Sequence, residues 1–268
     1  MLLFDVSASM GMSNGRVTLF QAAVRTAELF LDRVPSLDSI SVHVFADKDK
    51  EVVPFTRDFG AVRASIANLP KPGTDESKKE YGARTDLESC LSHLLALLSE
   101  HPQFGDAIII FSDGQFPRPG EDQILNFYDQ PDYLIRITPR LGMLGVRVFL
   151  SLAGNIGGAP PLHGIESFMA ATGGESIELR NPVFPDLGIN GAYEHPEAQV
   201  FRSDSIGQRA FALCAAVQDT YRAELQLTSP LEKPIRLHLN VVDEKGKALH
   251  NVAVLSPEFI YPDVGTQH

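Results

Sequence analysis

No apolar run in this chain approaches the roughly 18 residues needed to cross a bilayer. No cluster of Lys or Arg relieves a formal charge of -11. The first absence excludes a membrane span within this sequence. The second disfavours a phosphate-backbone partner, so nucleic acid is not expected. Only two cysteines occur, Cys90 and Cys214, and neither lies in a C-x-x-C or His/Cys spacing that would suggest zinc. Both fall in amphipathic helical stretches, where a free thiol packs as a small apolar residue. The eight histidines show no H-x-H or H-E-x-x-H spacing. Internal repeats and low-complexity segments are missing as well. There is no signal peptide: Met1 leads straight into an apolar strand, an abrupt start that suggests a missing upstream segment. The compartment is left open.

What is present is an ordinary globular composition, 268 residues with 44% apolar and 21% charged. Residues 2–6 read as a fully buried strand, an apolar run without polar alternation. Residues 16–34 carry helical spacing through Leu19, Ala22, Ala23, Leu29, Phe30 and Val34. Strands follow at 39–45 and 51–55, joined by a polar hairpin at Asp47-Lys48-Asp49-Lys50; the second should be an antiparallel edge strand. A short helix is expected at 58–68, then a polar loop at 71–81. Residues 84–99 form a strongly amphipathic helix with Leu87, Leu91, Leu94, Leu95 and Leu98 on one side.

Residues 107–112 are the most apolar strand of the chain, closed by Asp113-Gly114. Helical stretches around 122–127 and 133–141, a strand at 146–152, a helix at 163–172 and a short strand at 175–179 complete the series. Strands alternating with helices in this way predict an α/β fold: a doubly wound, mostly parallel sheet with helices on both faces. From 180 to 204 the regular pattern lapses into a long loop rich in Pro and Gly. A helix at 205–219 follows. The period then changes to two, with Ile235, Leu237, Leu239 and Val241 alternating against Arg236, His238 and Asn240. The expected division is a domain over 1–219 and a half-buried C-terminal antiparallel β-arm over 220–268.

Three places in this pattern carry hard oxygen donors. Asp5, Ser7 and Ser9 follow the first strand, Thr85 opens a helix, and Asp113 ends the strand at 107–112. Ligands of open parallel sheets bind beyond the carboxyl ends of strands, where strand order reverses. The first strand and the 107–112 strand should flank that point, so Asp5 and Asp113 could share one cation. Each piece has a plain structural explanation. The serines could make local turn bonds, Thr85 with Glu88 fits a capping box, and Asp113-Gly114 is a common turn pair. Their conjunction at one sheet edge is what these explanations do not cover.

In order and spacing, Asp5-Val6-Ser7-Ala8-Ser9-Met10, Gly82-Ala83-Arg84-Thr85-Asp86-Leu87 and Ile110-Phe111-Ser112-Asp113-Gly114 resemble the von Willebrand factor type A domain, with its metal-ion-dependent adhesion site. Ala170-Ala171-Thr172-Gly173-Gly174-Glu175 resembles the segment before that family's last strand. The likeness covers roughly residues 1–219 outside the long loop. Ala8 stands where glycine is common, and Gly82-Ala83-Arg84-Thr85 replaces a usual Gly-Gly-Thr.

The resemblance implies a Rossmann-like fold and a bound Mg2+, with Mn2+ or Ca2+ as alternatives. Ser7, Ser9 and Thr85 would bind the ion directly, and Asp5 and Asp113 directly or through water. It further implies a non-enzymatic module whose metal accepts a Glu or Asp carboxylate from a protein partner. Metal state would be coupled to the helix at 205–219 and hence to the arm. Alternatives are a metal-assisted hydrolase acting on phosphoesters or peptides, for which no motif supplies a general base, and a structural subunit of a larger complex.

Two further signals are discounted. Asp47-x-Asp49-x-Glu51 begins like a calcium loop, but Val52 stands where glycine is required, so it reads as a solvated hairpin. Gly154-Asn155-Ile156-Gly157-Gly158 could cradle a phosphate but lacks a P-loop lysine.

Overall fold

The computed structural model of the protein describes residues 1–13, 17–34, 39–100, 106–116, 137–153, 165–177, 203–218, 231–236, 238, 241–242, 245–247 and 259–260. Its main body is a six-stranded sheet built from β1 (Leu2–Asp5), β2 (Ile40–Phe45), β3 (Asp49–Thr56), β4 (Ala107–Ser112), β5 (Arg147–Leu152) and β6 (Ser176–Ile177). The strand order is β3-β2-β1-β4-β5-β6. All neighbours are parallel except β2 and β3, which are antiparallel as the tight hairpin requires. Succession runs outward one way from β1 to β3 and the other way from β4 to β6. The reversal therefore falls between β1 and β4, which pair directly.

Both faces of this sheet are covered, which explains why the central strands read as unbroken apolar runs. One face carries α1 (Leu19–Leu31) and α2 (Phe59–Ala67), whose Leu19, Ala23, Ala27, Phe30, Val62 and Ile66 meet Leu2, Phe4, Val42, Val44, Ile109 and Phe111. At its centre Phe4 stacks on Phe111, with centroids 4.8 Å apart, and meets Phe20 edge-on. The other face carries α4 (Leu87–Glu100), α5 (Thr138–Leu144) and α6 (Ile165–Ala171). There the five leucines expected on one side of the 84–99 helix are all buried, packed with Leu3, Ile108, Ile110, Val148 and Leu150. Cys90 and Cys214 are both buried, and neither forms a disulfide.

The last helix of the main body, α7 (Ser203–Gln218), joins the α1 face through Leu213 and Cys214. Arg147 donates to the Val217 carbonyl at 3.0 Å, placing a cation on the carbonyls that end α7. The edge strand β3 departs twice from regular pairing, between Ile40 and Val42 and between Val42 and His43 of its neighbour. Pro54 lies within the first irregularity, where its missing N–H costs no ladder bond.

Several expectations are corrected. The polar loop expected at 71–81 contains a helix, α3 (Asp75–Tyr81), whose N-cap Thr74 accepts from the Ser77 amide. Asp75 and Glu76 in its first turn and Lys78 and Lys79 in its last complement the helix dipole. Only Ser77 and Tyr81 are buried, too little to leave a hydrophobic period. Of the helix expected at 133–141, residues 133–136 lie outside the described residues; the described helix, α5, starts at Thr138 with Pro139 in its first turn and runs on to Leu144. Asp49 and Lys50 belong to β3 rather than to the turn.

Part of the expected arm is described. β7 (Ile235–Arg236) pairs antiparallel with β8 (Phe259–Ile260). Ile235 and Val241, expected on a buried side, are 37% and 38% exposed. The helix at 122–127, the Gly-rich loop at 154–158, the long loop up to residue 202 and the first arm strand at 221–227 lie outside the described residues.

Candidate functional site

The carboxyl ends of β1 and β4 lie side by side; β1 ends in an aspartate, and one follows β4 directly. Asp5 is the last residue of β1 and is fully buried. Its Oδ1 accepts from the Ser7 amide at 2.8 Å, and its Oδ2 accepts from the Ser112 hydroxyl on β4 at 2.7 Å. Past Asp5 the chain enters a 3-10 turn at Ala8–Gly11. That turn brings Ser7 and Ser9 onto one side, with their hydroxyl oxygens 3.1 Å apart. Met10 is wholly buried and anchors the turn in the core. A β-carbon on Gly11 would lie 2.9 Å from the Pro72 carbonyl oxygen, so the segment before α3 presses on this loop.

Asp113 follows β4 and is buried. Its Oδ1 accepts from the Gln115 amide at 3.0 Å. Its Oδ2 is buried and has no hydrogen-bond partner among the described residues. The turn is made at Gly114, where φ is +78°. Ser112 serves both sides, since its hydroxyl also accepts from the Gly114 amide.

Burial, then the neighbouring Asp113 charge, pushes the Asp5 carboxyl up to about 7, against hydrogen bonds from Ser112 and Ser7 that favour its ionised form. Asp113 is raised too, chiefly by burial, opposed by the Gln115 amide and the Ser9 hydroxyl. Two adjacent buried carboxylates resist carrying charge together.

Thr85 is also buried. The expected Thr85–Glu88 capping box does not form as the start of α4. Asp86 caps that helix instead, with Oδ1 accepting from the Ser89 amide at 3.0 Å and Oδ2 from the Ser89 hydroxyl at 2.8 Å. The loop bearing Thr85 reaches the first loop directly: the Ala8 amide donates to the Ala83 carbonyl at 3.3 Å. Its other side is held by the turn between β2 and β3, where Asp47 Oδ2 accepts from the Ala83 amide at 3.2 Å. Asp5, Ser7, Ser9 and Asp113 thus form one group, and the loop carrying Thr85 packs against it.

Sequence reasoning passed over Ser112 and Asp47. Ser112 precedes Asp113 and reads as the end of an apolar strand. Its polarity inside a buried run was the available signal, since a buried hydroxyl needs a partner.

The donor chemistry fits a hard divalent cation. Oxygen ligands alone are present, two of them carboxylates that a dication would allow to ionise, and one buried carboxylate oxygen is unsatisfied. Among the described residues no group of three or more His, Cys, Asp or Glu side chains stands ready for a metal; in this donor set hydroxyls take their place. No helix among the described residues is long and apolar enough to cross a membrane.

Among curated proteins none matches the chain. Solved structures do. An aerotolerance-related membrane protein of Bacteroides fragilis shares 16% identity at a TM-score of 0.52, covering 82% of this chain and 98% of that one. The conserved hypothetical protein BatB of Bacteroides thetaiotaomicron shares 15% at a TM-score of 0.43, covering 56% and 63%. A von Willebrand factor type A protein of Catenulispora acidiphila shares 16% at 0.49, covering 73% and 40%. The chain therefore spans under two thirds of the length of the last two. Residues 1–115 match the family model of the von Willebrand factor type A domain, and the mixed, mostly parallel sheet has the corresponding Rossmann-like α/β fold.

Proposed function

We propose that the chain is a non-enzymatic, divalent-metal-dependent protein-binding module. Asp5, Ser7, Ser9, Thr85 and Asp113 would hold the ion, with Mg2+ the first choice for an all-oxygen set. Bound there, the ion would supply positive charge and a coordination position for a partner's Glu or Asp carboxylate. The chain's own residues do the rest. Ser112 and the Ser7 amide orient Asp5, the Gln115 amide orients Asp113, and the short turn at Ala8–Gly11 pairs the two serine hydroxyls.

The observation that carries this reading is the buried, unpartnered Oδ2 of Asp113 beside a second buried carboxylate. That arrangement is costly in an apolar interior without a compensating cation. The match of residues 1–115 to a von Willebrand factor type A domain supports it.

The test is a calorimetric titration of the protein with Mg2+ and Mn2+, repeated on Asp113→Ala, followed by partner capture with and without chelator. Metal binding lost in the variant, with capture lost in chelator, is the expected result. Capture that ignores chelator, or a wild-type protein that takes up neither ion, overturns the proposal. A panel of phosphoesters and peptides separates it from hydrolysis.

A further inference from the structure

The hairpin turn between β2 and β3 grips the Thr85 loop residue by residue, in antiparallel order. The Ala46 carbonyl accepts from the Asp86 amide at 2.8 Å, and the Lys48 amide donates to the Tyr81 carbonyl at 3.1 Å. Between these two backbone ties, Asp47 Oδ2 accepts from the Ala83 amide. The fit around that carboxylate is close. A β-carbon on Gly82 would lie 2.1 Å from Asp47 Oδ2 and 2.5 Å from its Cγ, and Gly82 has φ +93°. Only glycine meets both conditions. Next along β3, Lys50 Nζ bonds Glu80 at 2.8 Å and lies 6.0 Å from the Tyr81 ring centroid, holding the end of α3 to the same hairpin. Ala83 in turn accepts from Ala8, inside the Ser7–Ser9 loop.

We infer that Asp47 is a positioning residue for Thr85: its carboxylate fixes the Ala83 amide, and so sets where the Thr85 hydroxyl stands relative to Ser7, Ser9 and Asp113. The inference rests on the metal-site reading above. Thr85 lies two residues past the Asp47 tie and one residue before the Ala46 tie, so the backbone on both sides of it is held. Of these ties the one made by Asp47 uses a side chain, and it can be removed without altering the backbone. Outer partners that orient a ligand typically change metal affinity by 10–100-fold when lost. For a solvent-exposed bond of 3.2 Å the lower end, about tenfold, is expected.

Three variants of the full chain test this: Asp47→Ala, Asp47→Asn and Gly82→Ala. Each is titrated with Mn2+ by calorimetry, and amide hydrogen exchange is followed in chelator. Asp47→Ala should weaken Mn2+ binding about tenfold and speed exchange over 82–86 without speeding it in the centre of α4. Asp47→Asn keeps an acceptor for the Ala83 amide and should retain most of the wild-type affinity. Gly82→Ala, which displaces Asp47, should resemble Asp47→Ala.

Unchanged Mn2+ affinity in Asp47→Ala overturns the inference while leaving the metal site standing. Equal weakening by Asn and Ala also overturns it, because charge rather than the hydrogen bond would then be acting. Wild-type protein that binds no Mn2+, with exchange still faster in Asp47→Ala, sinks the metal reading and the positioning role together. The hairpin tie alone would survive.

Discussion

Ser112 and Asp5 are 107 residues apart in the chain, and the hydroxyl of one donates to the carboxylate of the other at 2.7 Å. This bond crosses from β4 to β1 at the point where strand order reverses. It fixes a buried carboxylate whose remaining oxygen is held by the Ser7 amide.

Removing that hydroxyl leaves Asp5 Oδ2 buried with its donor gone. Ser112→Ala should cost about 1–3 kcal/mol of stability at neutral pH, measured by urea unfolding in chelator. Metal affinity should fall with it, by about tenfold or more. Unchanged unfolding would mean that Asp5 is already neutral there.

Asp113 should behave in the opposite sense without metal. In Asp113→Asn the like-charge conflict with Asp5 is relieved, so the chelated variant should unfold no earlier than wild type. At a Mg2+ concentration about 100 times the wild-type Kd, the wild-type protein should gain about 2.7 kcal/mol and the variant almost nothing. Thermal unfolding with and without Mg2+ reads both outcomes.

His43 supplies a pH dependence outside the donor set. It is fully buried on β2, and neither ring nitrogen has a hydrogen-bond partner among the described residues. The Glu51 carboxylate is 3.9 Å from Nε2. Burial lowers its pKa from 6.5 to about 4, against an opposing pull from Asp49. A lowered folded-state value means that the imidazole's contribution is complete above about 6.5 and is lost as pH falls toward 4. The acid loss should be on the order of 3 kcal/mol. Urea unfolding between pH 7 and 4 should show it in wild type and much less in His43→Phe.

Gly174 is required by close approach. A β-carbon there would lie 1.9 Å from the Val148 carbonyl oxygen, which belongs to β5 and cannot swing aside. Thr172, just before it, accepts from the Val148 amide at 3.0 Å and donates to the Met169 carbonyl at 2.8 Å. Gly174→Ala should therefore destabilise by more than about 4 kcal/mol or leave little folded protein, as judged by circular dichroism. Thr172→Val should cost less, about 1–3 kcal/mol for the bonds it breaks.

The sheet and its reversal point were legible because the central strands are apolar on both faces and short turns follow them. Asp5 and Asp113 were legible for the same reason, as the first charged residues after such runs. The helix α3 was not. Its stability comes from the Thr74 cap and from the arrangement of Asp75, Glu76, Lys78 and Lys79, which leaves no apolar stripe. The capping partner of α4 was misread by one residue, because Thr85 and Asp86 are both competent caps and only tertiary packing decides between them. Ser112 and Asp47 were passed over because their roles depend on neighbours 107 and 36 residues away. The alternation at 235–241 promised a buried side that Ile235 and Val241 do not supply. A period of two records a strand's geometry but not what covers it.

Pro54 has a consequence for assembly. It lies on the outermost strand beside a pairing irregularity, in a stretch that also carries Asp49, Lys50 and Glu51. Another chain seeking to lengthen the sheet at that margin would meet a missing amide, a twisted register and three charges. Fibril-like growth and β-addition are discouraged there, and an incoming polypeptide is steered away from the flank of the sheet.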